Sequence, residues 1–307
     1  MNYDIKISNN YEGAGQLELD RVGFLAKHLK EVAKKALLLQ IFGYSNVKLD
    51  GKLKKHLNVF MTPPTKHSNE TTFTLDADNF RELPVQMDAF KDKTQVHTHT
   101  PVSLIIQTFN AALDEAGDKN LLDEPIVNEL IQFKRFFKTD NEQIYLSNRG
   151  SIPEANFSKK SIEKIESLYR ETPKPENSII NGTIDEMKYS RSQLVLITKK
   201  NERVVVMQKS KELIDEIKSF FGKNITVRGK AYFKPGGQLS YVDMESFSEP
   251  QSGDEFFSKK PQQILIQQQI ALQLKAGKKN NPLDDIFGKW PGNETDEEFK
   301  EMLKSLD

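Results

Sequence analysis

Hydrophobic and polar positions near the N-terminus predict a hairpin followed by a long helix. Two short runs alternate between hydrophobic and polar residues, and a Gly-Ala-Gly turn separates them: Ile5 to Ile7 and Leu17 to Leu19. Hydrophobic residues then recur at helical spacing from Val22 to Leu37, and Asp20 is the predicted cap of this helix. Most lysines of the helix fall on its other side, where contact with water is the expected role.

Further short elements are predicted up to residue 172. Two alternating runs joined by a Pro-Pro loop predict a second strand pair, Leu57 to Met61 and Thr72 to Leu75. The pattern also predicts helices over residues 101–116 and 124–138, a strand over 143–146, and a helix over 158–170 with Ser158 as its cap. Because this alternation is irregular and lacks Gly-rich strand-to-helix turns, it argues against a nucleotide-binding Rossmann unit.

The hydrophobic period changes to two after a Pro-rich linker at residues 173–177. The predicted order over residues 178–248 is three strands, one helix and two strands, with strands over 180–187, 194–198, 203–207, 225–233 and 239–247. A single helix between the third and fourth strands resembles the order of an oligonucleotide/oligosaccharide-binding (OB) barrel. This resemblance implies a closed five-stranded barrel that binds a ligand. Small barrels of the SH3 or translation-factor type are the alternative.

Residues 249–307 shift towards Gln, Lys, Asp and Glu, which predicts a polar tail with short helices. A Gln-rich helix is followed by an Asn-Asn-Pro break, and a terminal acidic helix begins at Thr295 with Glu298 three residues on, as in a capping box. The predicted fold class is therefore α+β. It combines a mixed α/β domain over 1–172, an OB-like barrel over 178–248 and an extended tail over 249–307.

Composition restricts the classes of function. The 307 residues are 37% hydrophobic and 29% charged, and 44 Lys and Arg residues balance 44 Asp and Glu residues, so no net field attracts nucleic acid or an anionic membrane. The absence of cysteine excludes disulfides, thiolate metal ligands and thiol nucleophiles. Neither a secretory leader pattern nor an apolar run of membrane-spanning length occurs. We expect a cytoplasmic bacterial protein without a cofactor and without membrane contacts.

His97 and His99 are the strongest catalytic candidates. Two histidines two residues apart on a strand point to one face, where they could share a metal ion. Asp92 and Asp114 are available as further ligands, but the sequence does not bring them close. The alternative is that the pair ends a polar loop before the helix at Pro101. No nucleophile elbow or phosphate-binding loop occurs, so we expect no enzyme, with a metal-dependent hydrolase as the minor alternative.

The predicted barrel carries a local excess of positive charge. Residues 178–248 contain twelve Lys or Arg and eight Asp or Glu residues, although the whole chain is neutral. Aromatic and cationic residues interleave there, and these types supply base stacking and phosphate contacts in single-strand binders. The candidate nucleic-acid-binding residues are Lys188, Arg191, Arg203, Arg228, Lys230, Tyr232 and Tyr241.

An aromatic cluster lies near the C-terminus. Phe287 and Trp290, the only tryptophan, stand beside a Pro-Gly turn and are followed by an acidic helix start. Large aromatic residues are the usual anchors of protein interfaces. The stretch resembles the C-terminal arms of bacterial antitoxins of the VapB and prevent-host-death types, which wrap their cognate toxins. This resemblance implies a protein partner that contacts Phe287, Trp290, Glu294, Phe299 and Leu303.

The leading hypothesis is therefore a non-enzymatic regulatory protein whose tail binds a protein partner, such as a toxin encoded nearby. Docking of Phe287 and Trp290 onto the protein's own surface is the alternative. Residues 251–307 contain eight Lys or Arg and ten Asp or Glu residues, so this tail is also complementary in charge to the barrel. Binding of single-stranded nucleic acid by the barrel is the second functional hypothesis.

Overall fold

The computed structural model of the protein describes residues 1–49, 51–67, 70–81, 83, 93–148, 154–188, 192–208 and 211–261. These residues form an α+β fold with one open sheet and one closed five-stranded barrel. All of them belong to one compact unit, Met1–Ile264. The α+β class and the closed barrel confirm the expectation from the sequence.

The N-terminal α/β region extends from β1 to α6. Its strands are β1 (Asn2–Ser8), β2 (Phe60–Met61), β3 (Thr65–His67), β4 (Glu70–Asp76), β5 (Gln143–Ser147) and β6 (Ala155–Ser158). Its helices are α1 (Leu19–Phe42), α2 (Gly51–Lys54), α3 (Lys93–Thr98), α4 (Pro101–Leu113), α5 (Glu124–Gln132) and α6 (Lys159–Glu171). Short 3-10 turns extend α2 and α5, at Lys55–Leu57 and Phe133–Phe136, and another lies between α4 and α5 at Lys119–Leu121.

The open sheet has the order β2-β4-β1-β5-β6, and β3 pairs with the remaining part of β4. β1 is central and antiparallel to both neighbours, so that Ile5 lies opposite Phe73 on one side and Leu146 on the other. Tyr3, Ile5 and Ile7 alternate towards the core, where α1 and α4 also bury their hydrophobic residues. The sheet and helices therefore share one hydrophobic core.

The predicted N-terminal hairpin is wrong. Ile5 and Ile7 do lie in a strand, but Leu17 and Leu19 do not pair with it, because Leu19 starts α1. Asp20 lies in the first turn of α1, and Glu18 occupies the cap position without a side-chain cap bond. Both edges of β1 pair with strands far along the chain, β4 and β5, so the residues before α1 have no free edge of β1 with which to pair.

The loop before α1 is held by a buried ion pair instead. Arg21 is 4% exposed and donates to Glu142 at 3.0 Å, and Glu142 is fully buried. Arg21 also contacts Glu12 and donates to Asn10 Oδ1 at 3.1 Å, and its guanidinium lies 4.2 Å from the centre of the Phe136 ring. Glu142 accepts further bonds from the backbone N–H groups of Tyr11, Lys138 and Thr139. The charges are thus paired and hydrogen bonded, as burial requires.

Several predicted elements of this region are confirmed. β2 pairs with β4 as predicted, and Phe60 lies opposite Asp76, but the strand predicted from Leu57 begins only at Phe60, because Leu57 ends a 3-10 turn. α6 begins after Ser158, whose hydroxyl accepts a bond from the backbone N–H of Ser161 at 3.3 Å. α4 is three residues shorter than predicted, and a 3-10 turn replaces the end of the helix predicted over 124–138. β6 was not predicted.

The barrel contains β7 (Glu176–Lys188), β8 (Gln193–Ile197), β9 (Arg203–Met207), β10 (Asn224–Phe233) and β11 (Leu239–Ser248). β7, β8 and β9 are joined by antiparallel pairing, and α7 (Lys211–Ile217) and a 3-10 turn follow β9. β11 lies between β9, to which it is parallel, and β10, to which it is antiparallel. Pairing of β10 with β7 closes the barrel. All five predicted strands and the helix are therefore confirmed, with ends shifted by a few residues.

Gly229 permits a close approach of β10 to β11. The register of this pair shifts between Arg228 and Gly229, and a Cβ at Gly229 would lie 2.1 Å from the carbonyl oxygen of Asp243. No side chain fits at that distance, so the irregular pairing requires glycine.

Residues 249–261 fold back onto the barrel. A 3-10 turn at Asp254–Phe257 places the Asp254 carboxylate 2.6 Å from the Thr226 hydroxyl, which donates to it, and the Gln251 N–H donates to the same oxygen at 2.8 Å. Ser258 donates to Asn181 Oδ1 at 2.9 Å, and the Lys260 backbone N–H donates to Glu202 at 2.8 Å. These bonds cover the outside of β7 and β10 near Thr226.

Candidate functional site

The N-terminal α/β region covers the outer face of β8 and β9. Val205 and Met207 pack against the N-terminal core, and Val195 is fully buried. The hydroxyl of Tyr44 donates to Oε1 of Gln193 across this junction at 3.2 Å. In OB barrels the second and third strands form the usual oligonucleotide surface. Here the second and third strands of the barrel face the protein's own N-terminal region.

The turn between β10 and β11 completes this junction. The Lys234 ammonium donates to the carbonyl oxygen of Asn120 at 3.0 Å. Gly236 lies close to Lys119, because a Cβ at Gly236 would be 3.2 Å from Cβ of Lys119. The turn is therefore fixed against the 3-10 turn that precedes α5.

A cleft of about 490 Å³ lies beside the junction. Tyr232 and Tyr241 of the barrel line it with stacked rings, whose centres are 4.7 Å apart at an angle of 12°. Tyr44 also lines the cleft, and its ring centre is 5.9 Å from that of Tyr241 at an angle of 52°. Asp123 and Glu124, at the start of α5, also line the cleft. Its volume is in the usual range for small-molecule sites.

Asp123 connects the cleft to the fold around it. Its carboxylate accepts bonds from the backbone N–H and hydroxyl of Ser45, each at 2.7 Å, and from the Ile126 N–H at 3.2 Å. Asp123 thus caps α5 and fixes the loop that carries Tyr44. Burial raises the pKa of this carboxyl group, although the three bonds act in the opposite direction.

Lys35 lines the cleft, and its ammonium group contacts two other groups of the protein. The Lys35 ammonium lies 2.5 Å from Glu129 and 3.2 Å from the carbonyl oxygen of Pro125. Glu129 also contacts Nδ1 of His28 at 2.6 Å. The pKa of Glu129 is lowered, because the bonds and charges of Lys35 and His28 outweigh the opposing effect of burial.

The described residues among the predicted nucleic-acid-binding set differ in their surroundings. Lys188 and Arg203 both pair with Glu186, at 3.2 and 2.9 Å. These two cations lower the pKa of Glu186 to about 2, with Arg203 as the main cause. Tyr232 and Tyr241 belong to the cleft.

Arg228 and Lys230 are exposed and lie on the outer face of β10. Arg228 contacts only the Ser248 hydroxyl at 3.4 Å among its described hydrogen-bond partners. Arg191 lies outside the described residues. Of the predicted residues that are described, Arg228 and Lys230 are thus the cations open to a nucleic acid.

The metal site predicted at His97 and His99 assumes that both residues lie on a strand, and this assumption is wrong. His97 lies in α3 and His99 follows its last residue, so a strand does not align them on one face. Nδ1 of His97 is 2.7 Å from the carbonyl oxygen of Phe80, which makes this nitrogen a donor. Burial lowers the pKa of His99. Within the described ranges no three His, Asp or Glu residues are grouped closely enough to hold a metal ion.

His99 and Asp114 do line one cavity of about 540 Å³, together with Gln107, Asn110 and Asp118. Nε2 of Gln107 lies 3.4 Å from Nδ1 of His99, which is a long contact. Asp92, the other candidate metal ligand, lies outside the described residues.

The predicted partner-binding residues Phe287, Trp290, Glu294, Phe299 and Leu303 also lie outside the described residues. None of the described helices has the length and apolar character needed to cross a membrane. Comparisons with protein-family models, with curated proteins and with solved structures gave no match.

Sequence reasoning missed Tyr44 and Asp123. A signal for the covered barrel face was present, because β9 reads Arg-Val-Val-Val-Met and does not alternate with polar residues. Continuous hydrophobic strands are typical of sheets buried on both faces. The Asp-Glu-Pro start of α5 also indicated a capping role for Asp123. No local pattern connects either residue to Tyr232 or Tyr241.

Proposed function

We propose that the protein is a non-enzymatic interaction protein that binds a protein partner through its C-terminal segment. The contacts proposed are Phe287, Trp290, Glu294, Phe299 and Leu303, in the manner of an antitoxin arm or a related defence component. The supporting sequence feature is the aromatic and acidic character of this segment.

The structural observation that favours this function is the covered outer face of β8 and β9. The pairing order of the barrel, with the third strand parallel to the fifth and the first strand paired to the fourth, supports its assignment to the OB type. A barrel that uses its usual ligand surface within its own chain serves as a scaffold. A partner is then bound by another part of the protein.

The test is recovery of a partner from the natural host with tagged full-length protein, followed by binding measurements with the two purified components. We expect Trp290→Ala to weaken the complex at least about tenfold, since a buried aromatic anchor contributes roughly 2 kcal/mol. The matched control is Phe60→Ala, because Phe60 is a described aromatic residue that is 68% exposed. Unchanged affinity of Trp290→Ala, or an equal loss in the control, would contradict the proposal.

Binding of single-stranded nucleic acid through β10 is the second candidate. The specific observation in its favour is that Arg228 and Lys230 are exposed two residues apart on one face of the strand. Fluorescence anisotropy with an oligonucleotide of about 20 residues at about 50 mM salt tests it. Binding that is lost in Arg228→Glu/Lys230→Glu and retained in Lys34→Glu supports this candidate. Absence of binding by the unaltered protein rejects it.

A further inference from the structure

The cleft between Tyr44 and the tyrosine pair of the barrel has a chemistry that selects for one kind of ligand. The rings of Tyr232 and Tyr241 stack on each other, and Tyr44 meets Tyr241 at an inclined angle. Tyrosine rings of the barrel and of the N-terminal α/β region therefore line the same cleft. The face of an aromatic ring attracts a cation when the charge lies within about 6 Å of the ring centre.

Carboxylates surround the same space. Asp123 and Glu124 line the cleft, and Asp243 follows Tyr241 by two residues on β11. Their effect is evident at Tyr241, whose pKa is raised by burial and also by Tyr232, Asp243, Glu124 and Asp123. The carboxylates near Tyr241 therefore act in the direction that also favours a bound cation.

Lys35 and Lys234, which lie near the cleft, have partners of their own. Lys35 pairs with Glu129 and donates to the Pro125 carbonyl oxygen. Lys234 stands near Asp123 but donates to the carbonyl oxygen of Asn120 at 3.0 Å. The ligand is thus offered tyrosine faces and carboxylates, with the ammonium groups directed to other atoms.

The wall of the cleft also contains an unused acceptor. The hydroxyl oxygen of Ser240 is buried, and no described residue forms a hydrogen bond with it. A buried hydroxyl without a partner costs free energy that a bound donor would recover. Ser240 adjoins Tyr241, so an N–H donor seated on the tyrosines would be close to this oxygen.

We infer that this cleft binds a small organic cation, an ammonium or guanidinium group, held over the rings of Tyr232, Tyr241 and Tyr44 and attracted by Asp123 and Glu124. A phosphate-bearing ligand is disfavoured by the same carboxylates. The volume of about 490 Å³ accommodates either a free amine or the end of a Lys or Arg side chain from a peptide. The chemistry recognised is the same in both cases.

The decisive probes are choline and its uncharged analogue 3,3-dimethylbutan-1-ol, which have nearly equal shapes. Calorimetric titration of the full-length protein should give a preference of about tenfold or more for choline, and the preference should fall with added salt. Acetylated and amidated Gly-Lys-Gly and Gly-Arg-Gly form a second arm. Tighter binding of a peptide than of choline identifies a side chain as the source, and the reverse identifies a free amine.

Three variants assign the binding to the cleft. Tyr232→Phe keeps the ring and should retain choline binding, whereas Tyr232→Leu should weaken it about tenfold. Glu124→Gln, at an exposed position, should weaken it about threefold without affecting the fold. Lys230→Gln, on the same strand but outside the cleft, is the control. Thermal unfolding of each variant verifies that it is folded.

The inference is rejected if choline and its neutral analogue bind equally, if neither binds, or if AMP binds more tightly than choline. It is also rejected if folded Tyr232→Leu and Glu124→Gln both bind choline with unchanged affinity. None of these results depends on Trp290, so the outcome is independent of the partner-binding function proposed above.

Discussion

The hydroxyl of Tyr44 donates a hydrogen bond to Oε1 of Gln193 at 3.2 Å, and both side chains are buried. Tyr44 follows α1 of the N-terminal α/β region, whereas Gln193 is the first residue of β8 in the barrel. A buried polar bond at this position joins two parts of the chain that are 149 residues apart. The two parts are therefore connected by a specific bond as well as by hydrophobic contact.

Removal of the Tyr44 hydroxyl should lower the free energy of unfolding. In Tyr44→Phe the ring remains, but Oε1 of Gln193 loses this donor, which costs about 1–2 kcal/mol. Urea unfolding monitored by circular dichroism measures the change. Tyr11→Phe is the matched control, because Tyr11 is 68% exposed, and its change should stay within about 0.5 kcal/mol. Equal stability of the two variants would show that the bond across the junction does not contribute.

The Arg203 and Glu186 pair should make the barrel sensitive to acid. Glu186 has a pKa of about 2 in the folded protein against an ordinary value of 4.5. A carboxyl group with a lowered folded pKa stabilises the protein fully above pH 4.5, and this contribution is lost as the pH falls towards 2. Solvent screens this partly exposed pair, so we expect about 1 kcal/mol.

Comparison with Glu186→Gln isolates this contribution, since the amide does not titrate. The unaltered protein should lose about 1 kcal/mol more than the variant between pH 5 and pH 2, as measured by urea unfolding at each pH. Asp140→Asn is the control, because Asp140 is an exposed carboxylate paired with Lys159. Parallel stability curves for the unaltered protein and Glu186→Gln would exclude a role for the pair.

Glycine at position 229 should be essential for barrel closure. Gly229→Ala places a methyl group against the carbonyl oxygen of Asp243, so the two strands must separate locally. We expect a loss of about 2–4 kcal/mol in the free energy of unfolding. The same substitution at Gly23, in α1, meets no atom within 4 Å and should raise stability by up to about 1 kcal/mol. Changes of the same sign at both positions would contradict this view of the β10 and β11 pair.

Loss of the buried Arg21 cation should be more damaging than loss of a surface cation in the same helix. Arg21→Met leaves Glu142 buried without its cation, at a cost of about 3–5 kcal/mol. Lys34→Met removes a partly exposed pair with Glu31 and should cost less than about 0.5 kcal/mol. Thermal unfolding compares the two. Arg21→Met/Glu142→Leu should recover part of the loss, and no recovery would indicate that packing by the arginine chain dominates.

The barrel could be predicted from the sequence because its strands are local patterns. Leu194, Leu196, Val204 and Val206 alternate into the barrel core, and the turn between α7 and β10 contains Gly222, which has a φ of +75°. Such patterns involve residues that are close together in the sequence, so they can be recognised without knowledge of the tertiary structure. The predicted N-terminal hairpin is wrong because the pairing of β1 is not local. Its partners lie at residues 70–76 and 143–147.

The cleft could not be predicted for the same reason. Tyr44, Asp123 and Tyr232 come from three distant segments, and only the packing of the barrel on the N-terminal α/β region brings them together. The sequence predicts Tyr232 and Tyr241 as base-stacking residues. Their aromatic character was evident from the sequence, but their cross-strand pairing and the carboxylates beside them were not.

The covered face of β8 and β9 has a consequence for synthesis of the protein. All strands of the open sheet have been synthesised once Ser158 has been added, so the N-terminal α/β region can begin to fold while the barrel is still incomplete. The barrel cannot close until β10, which lies more than forty residues after Ser158, has been made and pairs with β7. During this interval the hydrophobic face of β8 and β9 can dock on a preformed surface. We expect the N-terminal region to shield this face from other contacts until the barrel closes.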